Sequence, residues 1–252
     1  MPPIRKGDGT PVTPKGVSQI RTGDGRILFD GPAIPDLGMD HEYHATTIDD
    51  ITDVWSDQVG DINLSPENSP SLSDINGKQA VLYNSDNNEA HESIDSAWQF
   101  SENSEYTYAV VIDEFQDSDG IIFTAGNAEN DNGVRVEYRG SDYRPSFHSG
   151  VDSGPSGGDG DVQPVILVGS YDGSDIYFDL NGSTALDGVS VDSPNSIPSD
   201  DPVALAKRIG AEDQHFTGLV GSFGWDAGFS DSERRDNITD KLAGFYQIDV
   251  DT

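Results

Sequence analysis

The sequence contains no cysteine, which excludes disulfide bonds, thiol catalysis and thiolate metal sites. Only 14 of its 252 residues are lysine or arginine, too few for the basic surface that nucleic acid binding requires. No apolar run reaches the ~18 residues of a membrane helix, and the N-terminal MPPIRKGDGTPVTPKG has no apolar core of a secretory signal. These absences predict a soluble protein with no nucleic acid partner, no membrane insertion and no cleaved leader.

Acidic residues are the dominant feature of the composition. The chain has 46 Asp and Glu against 14 Lys and Arg, a net charge of −32. Such a chain repels itself in dilute buffer, whereas molar salt shortens the Debye length to about 3 Å and removes most of the repulsion. The composition therefore resembles that of proteins from salt-adapted archaea and their viruses. An acidic extracellular module loaded with calcium is the alternative.

Charge is distributed unevenly along the chain. Residues 1–35 carry five basic and three acidic side chains, a net of +2, and six prolines; the other 217 residues carry nine basic and 43 acidic ones, a net of −34. A segment this rich in Pro and Gly builds no core of its own, apart from a short hairpin over 17–31. We expect an extended docking arm over 1–38 and one domain over 39–252; a frayed tail is the alternative for the arm.

Short β-type runs recur from residue 40 onward, and many alternate with period two. Val134, Val136 and Tyr138 share one face of such a run. The stretch ILVGSYDGSDIYFDLNGSTA (166–185) indicates two strands joined by a two-residue turn. Many strands without intervening helices predict an all-β fold, a two-sheet antiparallel β-sandwich or jelly roll. The runs are QAVLYN (79–84), YTYAVVIDEF (106–115), GIIFTAG (120–126), GVRVEYRG (133–140), PVILVGSYD (164–172), DIYFDLNG (175–182), VALAKRIG (203–210) and GLVGSFGWDAGF (218–229).

One helix is expected near the C-terminus. Ser230 and Glu233 have the spacing of a capping box. Ile238, Leu242 and either Phe245 or Tyr246 then recur at helical spacing on one side. A short amphipathic C-terminal helix is predicted.

Four stretches carry a resemblance to a known family. They are DVWSDQVGDINL (53–64), INGKQAVLYNSDNN (75–88), the 166–185 hairpin, and TGLVGSFGWDAGFSDSERRDNITDKLAGFY (217–246). Together they resemble the concanavalin A-like lectin/glucanase domain in its laminin-G-like form. The resemblance implies two curved sheets with ligands bound on the concave face or at the loop rim, but it implies no single function.

Catalysis by this chain is not expected from its sequence. Glucanases of the resembled family place their two carboxylates in a Glu-x-Asp-x-x-Glu run, since a retaining glycosidase needs them about 5 Å apart. The chain has no such run, and its nearest approach is Glu129-Asn130-Asp131. The prediction is that the chain is not an enzyme.

Metal binding is a second candidate chemistry. Asp-rich loops suit Ca²⁺, or Mg²⁺, because both cations take oxygen ligands; Asp117 and Asp119 in DSDG (117–120) are the candidate ligands. His41 and His44, with Glu42, could contribute to a metal or pH-sensing site. A polar linker entering the domain is the alternative for the histidines.

Ligand binding is assigned to EYRGSDYRPSFHSG (137–150), where three of the nine basic residues of the acidic body lie in or beside a cluster of aromatic residues. Arginine beside tyrosine on a surface suits recognition of glycans or of an acidic partner. The alternative is that Tyr138 and Phe147 are core residues and that the arginines bridge neighbouring aspartates. Trp55, Trp98 and Trp225 are expected in the core. The candidate binding residues are Tyr138, Arg139, Tyr143, Arg144 and His148.

Taken together, these patterns favour a virion structural protein of a haloarchaeal virus: a tail fibre, spike or capsid turret, assembled in the host cytoplasm. The arm would bind other virion proteins, the sandwich would bind host surface glycans or a glycoprotein, and the assembly would be a homo-oligomer, trimeric or pentameric. A secreted halophilic carbohydrate-binding protein or glycan hydrolase, and a purely architectural capsid decoration protein, are the alternatives.

Overall fold

The computed structural model describes residues 19–21, 27–30, 34–48, 50, 54–93, 101, 104–113, 120–126, 133–139, 142–147, 163–191, 201–209 and 215–250. These residues contain sixteen β-strands and one α-helix. Short 3-10 turns lie at Ala45–Thr47 and Ser85–Asn87. In chain order the elements are β1 (Gln19–Arg21), β2 (Ile27–Asp30), β3 (His41–His44), β4 (Leu64–Glu67), β5 (Ser71–Ile75), β6 (Lys78–Tyr83), β7 (Ala90–Ser93), β8 (Tyr106–Asp113), β9 (Gly120–Ala125), β10 (Val134–Arg139), β11 (Asp142–Phe147), β12 (Val165–Tyr171), β13 (Asp175–Leu180), β14 (Ser183–Ser190), β15 (Val203–Leu205), β16 (Gly218–Asp226) and α1 (Ser232–Tyr246).

Two antiparallel sheets form the body, which confirms the predicted β-sandwich. The six-stranded sheet has the order β11-β10-β9-β15-β7-β4. The eight-stranded sheet has the order β14-β13-β12-β8-β16-β6-β5, and β3 also pairs with β16. The strands pair as expected for alternating sequences with a buried face.

The main core lies between the two sheets. It is rich in aromatic rings: Tyr106 stacks on Trp225 with centroids 5.0 Å apart, and Phe123 lies 5.1 Å from Phe223. Trp55 is also buried in this cluster, so two of the three expected core tryptophans are confirmed. Trp98 lies outside the described residues.

A second core forms where α1 packs on the opposite face of the eight-stranded sheet. Ile238, Leu242 and Phe245 of the helix are buried there, as the helical spacing predicted. The N-cap prediction was wrong by one residue. Asp231 caps the helix by accepting a hydrogen bond from the Arg234 amide at 2.9 Å, because the Ser230 hydroxyl is buried and hydrogen-bonded to Thr107 instead.

The hairpin at 166–185 differs from its prediction in turn length. Strands β12 and β13 are joined by a three-residue loop in which the Asp172 carboxylate accepts hydrogen bonds from the amides of Ser174 and Asp175. The two-residue turn follows β13 instead, at Asn181 and Gly182, where both residues have positive φ as hairpin turns of this length require. Strand β14, which the sequence did not indicate, forms the sheet edge beyond it.

The predicted N-terminal hairpin is also present, since β1 pairs with β2 in antiparallel register. The other residues of the arm up to residue 33 lie outside the described part. Leu37 and Met39 are buried in the helix-side core. The boundary between arm and domain at residues 38 and 39 stays a prediction.

Candidate functional site

Alternation along β10 places hydrophobic and charged residues on opposite faces of the six-stranded sheet. Val134, Val136 and Tyr138 belong to the core between the sheets. The intervening residues, Arg135 and Glu137, therefore lie on the outer face, where Arg135 Nε is 3.4 Å from Glu137 Oε2. The charged side chains of β10 therefore lie on the outer face of the six-stranded sheet, and its hydrophobic side chains lie on the core face.

The strand register extends this polar face across the sheet. Arg135 on β10 lies opposite Thr124 on β9, and Thr124 lies opposite Ala204 on β15. Ala204 in turn lies opposite Glu92 on β7, which pairs with Ser65 on β4. Five strands thus contribute one row, here called the polar row, with small residues at its centre and charged residues towards both ends.

The centre of the polar row and its Arg135 end are shielded from solvent, whereas the β4 and β7 end is partly open. Thr124 and Ala204 have no exposed surface. At the β4 and β7 end, Lys207 donates hydrogen bonds to Glu67 at 2.9 Å and to Glu92 at 2.6 Å. Burial lowers the pKa of Lys207, but these two carboxylates outweigh burial and hold the pKa above its usual value. The lysine is therefore engaged in tying β4, β7 and the segment after β15 together.

The opposite end, here called the arginine end, consists of the outward-facing charged residues of β10 and β11. On β11, Arg144 is 27% exposed and its Nη2 lies 3.5 Å from Asp142 Oδ2. The Arg144 Nε is sequestered from solvent, and no atom of the described residues accepts a hydrogen bond from it. Leaving a buried donor unsatisfied costs about 1–3 kcal/mol.

The arginine end contains part of the binding site predicted from sequence. Arg139 is exposed and lies opposite Asp142 in the β10–β11 register. Tyr138 and Tyr143, in contrast, are buried in the core with ring centroids 5.4 Å apart. The period of two sends neighbouring Tyr and Arg residues to opposite faces of the hairpin, so the five-residue site does not form one surface.

The same hairpin matches part of the alternative interpretation. Tyr138 is a core residue, and Arg144 does approach an aspartate. His148 and the side chain of Phe147 lie outside the described residues. Ligand binding at Arg139 and Arg144 stays a prediction.

The predicted metal ligands Asp117 and Asp119 lie outside the described residues. Within the described ranges, no group of three or more His, Asp or Glu side chains could hold a metal ion. Binding of Ca²⁺ or Mg²⁺ stays a prediction. Over the same ranges, no helix is long and apolar enough to span a membrane.

His41, Glu42 and His44 do not converge on one point, because they alternate along β3 inside the eight-stranded sheet. His41 Nδ1 lies 2.6 Å from Asp57 Oδ2. The other Asp57 oxygen accepts hydrogen bonds from the amides of Glu42, Val59 and Gly60. These hydrogen bonds lower the pKa of Asp57 against the effect of its burial, the largest of its influences. His41 and Asp57 thus fasten the 57–60 loop to β3.

On the opposite side of β3, His44 takes part in a buried hydrogen-bond chain that sequence reasoning missed. Its Nδ1 is 2.8 Å from Ser222 Oγ, which is 2.7 Å from the Tyr246 hydroxyl. Glu42 Oε2 lies 3.5 Å from His44 Nε2. All four side chains are buried, so the chain links β3, β16 and α1. The large sequence separation of its members left no local signal for it.

Comparison with known proteins identifies the fold. No protein-family model and no curated protein sequence matches the chain. Solved structures do match. Domain 4 of AbnA, a GH43 extracellular arabinanase from Geobacillus stearothermophilus in complex with arabinotriose, has a TM-score of 0.58 and 14% identity, covering 80% of this chain and 98% of that domain.

Two further structures match parts of longer chains. Trypanosoma rangeli sialidase in complex with sialic acid has a TM-score of 0.58 and 14% identity, covering 94% of this chain but 37% of the sialidase. The binding domain of Paraclostridial Mosquitocidal Protein 1 has a TM-score of 0.63 and 10% identity, covering 82% of this chain and 53% of that one. At these identities the matches show a shared β-sandwich fold. The chain spans about a third of the sialidase and about half of the toxin domain.

The comparisons contradict the prediction that this chain is not an enzyme. The fold is shared with a domain of an arabinanase and with part of a sialidase, so it is one that glycoside hydrolases contain. The prediction failed because a missing Glu-x-Asp-x-x-Glu run excludes only one arrangement of catalytic carboxylates. Glu129 and Asp131, the nearest approach to that run, lie outside the described residues.

Proposed function

We propose that the chain is a glycan-binding β-sandwich module and that the arginine end of the polar row contacts the sugar. Arg144 carries the proposal, because its side chain is 27% exposed and its Nη2 contacts Asp142 Oδ2 only at 3.5 Å, the long limit of a hydrogen bond. Beside it, Arg139 and Asp142 supply an exposed donor group and a partly exposed acceptor group. A pyranose or furanose presents hydroxyl groups that pair with such mixed donors and acceptors.

The composition of the body supports this choice of surface. Of the nine basic residues after residue 35, three lie on the outward-facing positions of β10 and β11. Arg234 and Arg235 are paired with Asp226 and Asp179 at the helix–sheet interface. Arg139 and Arg144 are the two of these three that solvent reaches, since Arg135 is buried beside Glu137.

The fold supports the substrate class. The arabinanase domain was solved with arabinotriose, and the sialidase with sialic acid. A third match is a binding domain of a toxin. The β-sandwich thus occurs in proteins that were solved with bound sugars, which supports glycan binding here, although a fold by itself specifies no function.

Titration calorimetry with arabinotriose and 3′-sialyllactose tests the proposal, in buffer with molar KCl. Binding of either sugar that falls at least tenfold in Arg144→Gln supports it. Lys241→Gln is the matched control, because it removes one positive charge at an exposed position on α1. Equal loss in both variants, or no binding of any sugar by the native chain, would contradict the proposal. Incubation of the same sugars with the chain, followed by detection of released monosaccharide, tests for hydrolysis.

A role in the particle of a haloarchaeal virus is the finer proposal, and the net charge of −32 supports it. In this role the basic arm would bind other virion proteins, and the sandwich would bind a host surface glycan or glycoprotein as a trimer or pentamer. The concanavalin A-like family is likewise proposed on the quoted sequence stretches. Purification of virions from an infected haloarchaeal culture, with antibody against the chain, tests the location. Absence of the chain from intact particles would exclude it.

A further inference from the structure

We propose that the outer edge of β5, in the eight-stranded sheet, binds the β1–β2 hairpin of a second copy of this chain, which adds strands to the sheet. This inference goes beyond glycan binding and does not depend on it. It comes from the strands at the edges of the two sheets, from the exposed side chain of Leu72, and from the composition of the hairpin.

The four edge strands of the two sheets differ in their protection against pairing with another chain. At the two ends of the six-stranded sheet, β11 contains Pro145 and β4 contains Pro66. At one end of the eight-stranded sheet, β14 is irregular, because its register with β13 shifts twice. Proline and bulges are two of the usual defences of an edge strand. At the other end, β5 has neither: it contains no proline or lysine, and its register with β6 is regular over its whole length.

The backbone of β5 presents hydrogen-bonding groups at this edge. A two-residue turn, Asn76 and Gly77, joins β5 to β6, and both turn residues have positive φ. The residues that flank such a turn, Ile75 and Lys78, form a hydrogen-bonded pair, and these pairs alternate along an antiparallel ladder. The backbone N–H and C=O groups of Leu72 therefore point away from β6. Among the described strands, none pairs with that side of β5.

The side chain of Leu72 leaves apolar surface at the same edge. It is 37% exposed, although it lies opposite Val81 of β6, which belongs to the core between the sheets. Directly opposed residues of an antiparallel pair share one face, so Leu72 extends this core to the edge of the sheet. A strand added beyond β5 would cover Leu72 and bury its apolar surface.

The β1–β2 hairpin is rich in hydrophobic residues. Its seven strand residues include Ile20, Ile27, Leu28 and Phe29. Among the described strands, β1 and β2 pair with each other and with neither sheet of the body. A two-stranded hairpin is marginally stable alone in water, and a third strand stabilises it. β5 of a second copy supplies that strand to β2, the longer strand of the hairpin, together with an apolar contact at Leu72.

Charge favours the hairpin over a second β5 as the added strand. Residues 36–77, which include β5, contain ten acidic residues and no lysine or arginine, whereas residues 1–35 have a net charge of +2. Pairing of two β5 strands would bring two acidic segments together, and like charges that face each other across strands are destabilising. A contact between the hairpin of one copy and the edge of the next is heterologous, so it builds a closed ring or a filament.

Sedimentation equilibrium of the full chain in molar KCl tests the docking. We expect the native chain to associate, and Leu72→Lys to weaken the association at least about tenfold, because the docked hairpin would bury the added charge. Val59→Lys is the matched control, because it makes the same type of change at a residue that is 50% exposed but lies in a loop. Its effect should stay within about threefold.

Two results of this measurement would overturn the proposal. One is a native chain that stays monomeric at about 100 μM, a concentration at which even a modest affinity populates the complex. The other is equal weakening by Leu72→Lys and Val59→Lys, which would show a general effect of the added charge. Circular dichroism checks that both variants fold.

Disulfide cross-linking identifies which segment occupies the edge, and it is specific because the native chain contains no cysteine. Leu72→Cys is mixed in turn with Ile27→Cys, Leu28→Cys and Phe29→Cys under mild oxidation, so that the three arm positions cover the registers open to β2. A disulfide requires the two Cα atoms to come within about 7 Å. We expect a dimer of one copy of each variant in at least one mixture, and none when Val59→Cys replaces Leu72→Cys.

Other cross-links would identify other occupants. A dimer of Leu72→Cys with itself, formed in preference to the mixed dimer, would show pairing of two β5 edges. An internal disulfide in a chain that carries both Leu72→Cys and Leu28→Cys would show docking within one chain. Either result overturns the proposal, and so does the absence of a cross-link in every mixture, which would place the contact elsewhere.

Discussion

Arg235 of α1 and Asp179 of β13 form a buried ion pair: Arg235 Nε donates to Asp179 Oδ2 at 2.5 Å, and both side chains are 3% exposed. Arg235 also donates to the Ser230 carbonyl at 3.0 Å, and its guanidinium lies 5.3 Å from the centre of the Tyr177 ring. A single side chain thus joins the start of the helix to the eight-stranded sheet.

We predict that Arg235→Met unfolds far more easily than the native chain, because it leaves the Asp179 carboxylate buried without its partner. Breaking one side of a buried pair costs about 3–5 kcal/mol. Guanidinium denaturation followed by tryptophan fluorescence measures the loss. The double variant Arg235→Met/Asp179→Leu should recover most of it. A loss below about 1 kcal/mol in the single variant would show that the pair contributes little.

The strand alternation predicted the fold well where strands are buried on one face. Val134, Val136 and Tyr138 were expected on one face of β10 and lie in the core. Strand β14 was missed because it is an edge strand with mostly exposed residues, which leave no hydrophobic alternation to detect. The helix was predicted from Ile238, Leu242 and Phe245, but its cap was displaced by tertiary hydrogen bonds of Ser230 that no local pattern reveals.

The candidate site was predictable from sequence only in part, because its residues are brought together or separated by strand alternation and by the register between strands. Sequence proximity grouped Tyr138, Arg139, Tyr143 and Arg144, although the period of two that located β10 also implies opposite faces for Tyr and Arg. The polar row was beyond prediction, because it depends on the register between Thr124, Ala204 and Glu92. Those three residues are far apart in sequence, and only the folded sheet aligns them.

The second prediction concerns acid stability and His91. This side chain lies in the core, hydrogen-bonded through Nδ1 to the Tyr83 hydroxyl at 2.8 Å, and burial lowers its pKa to about 3. The unfolded chain takes up the His91 proton near pH 6.5 whereas the native chain does not. The stability that neutral His91 contributes is therefore present above pH 6.5 and is lost as pH falls from there towards 3.

The expected slope is up to about 1.4 kcal/mol per pH unit for this one proton. His91→Gln keeps hydrogen-bonding groups at the position but does not titrate, so its stability should fall less steeply between pH 6.5 and 4. The carboxylates titrate equally in both proteins, and the difference between the two denaturation series isolates His91. Parallel pH profiles would show that His91 is not the group responsible.

The third prediction tests the close packing of Gly169 on Tyr108 in neighbouring strands. A Cβ atom at Gly169 would lie 2.2 Å from Tyr108 Cζ. Gly169→Ala should therefore destabilise the chain by about 1–3 kcal/mol through overpacking. Gly244→Ala in α1 is the matched control, because its Cβ meets no atom within 4 Å, and it should stabilise the helix by ~0.5–1 kcal/mol.

A double-mutant cycle with Tyr108→Leu identifies the clash as the cause. The smaller side chain opens space at the position of the ring, so Gly169→Ala should cost less in that background. Thermal unfolding of the four proteins measures the coupling. An unchanged cost would place the strain elsewhere.

The last prediction concerns salt and the net charge of −32. If self-repulsion limits folding, the unfolding temperature should rise from low salt to molar KCl, because screening shortens the reach of each charge from about 10 Å at 0.1 M to about 3 Å at 1 M. Asp236 and Asp240 are exposed on one side of α1, four residues apart, and like charges at that spacing repel. Replacing both by lysine should raise the unfolding temperature at low salt and flatten its salt dependence, whereas replacing both by glutamate, which keeps the charge, should leave the curve near that of the native chain. If the unfolding temperatures of the lysine and glutamate variants depend on salt in the same way, salt acts through apolar burial and not through charge. The proposed adaptation to high salt would then have no electrostatic basis.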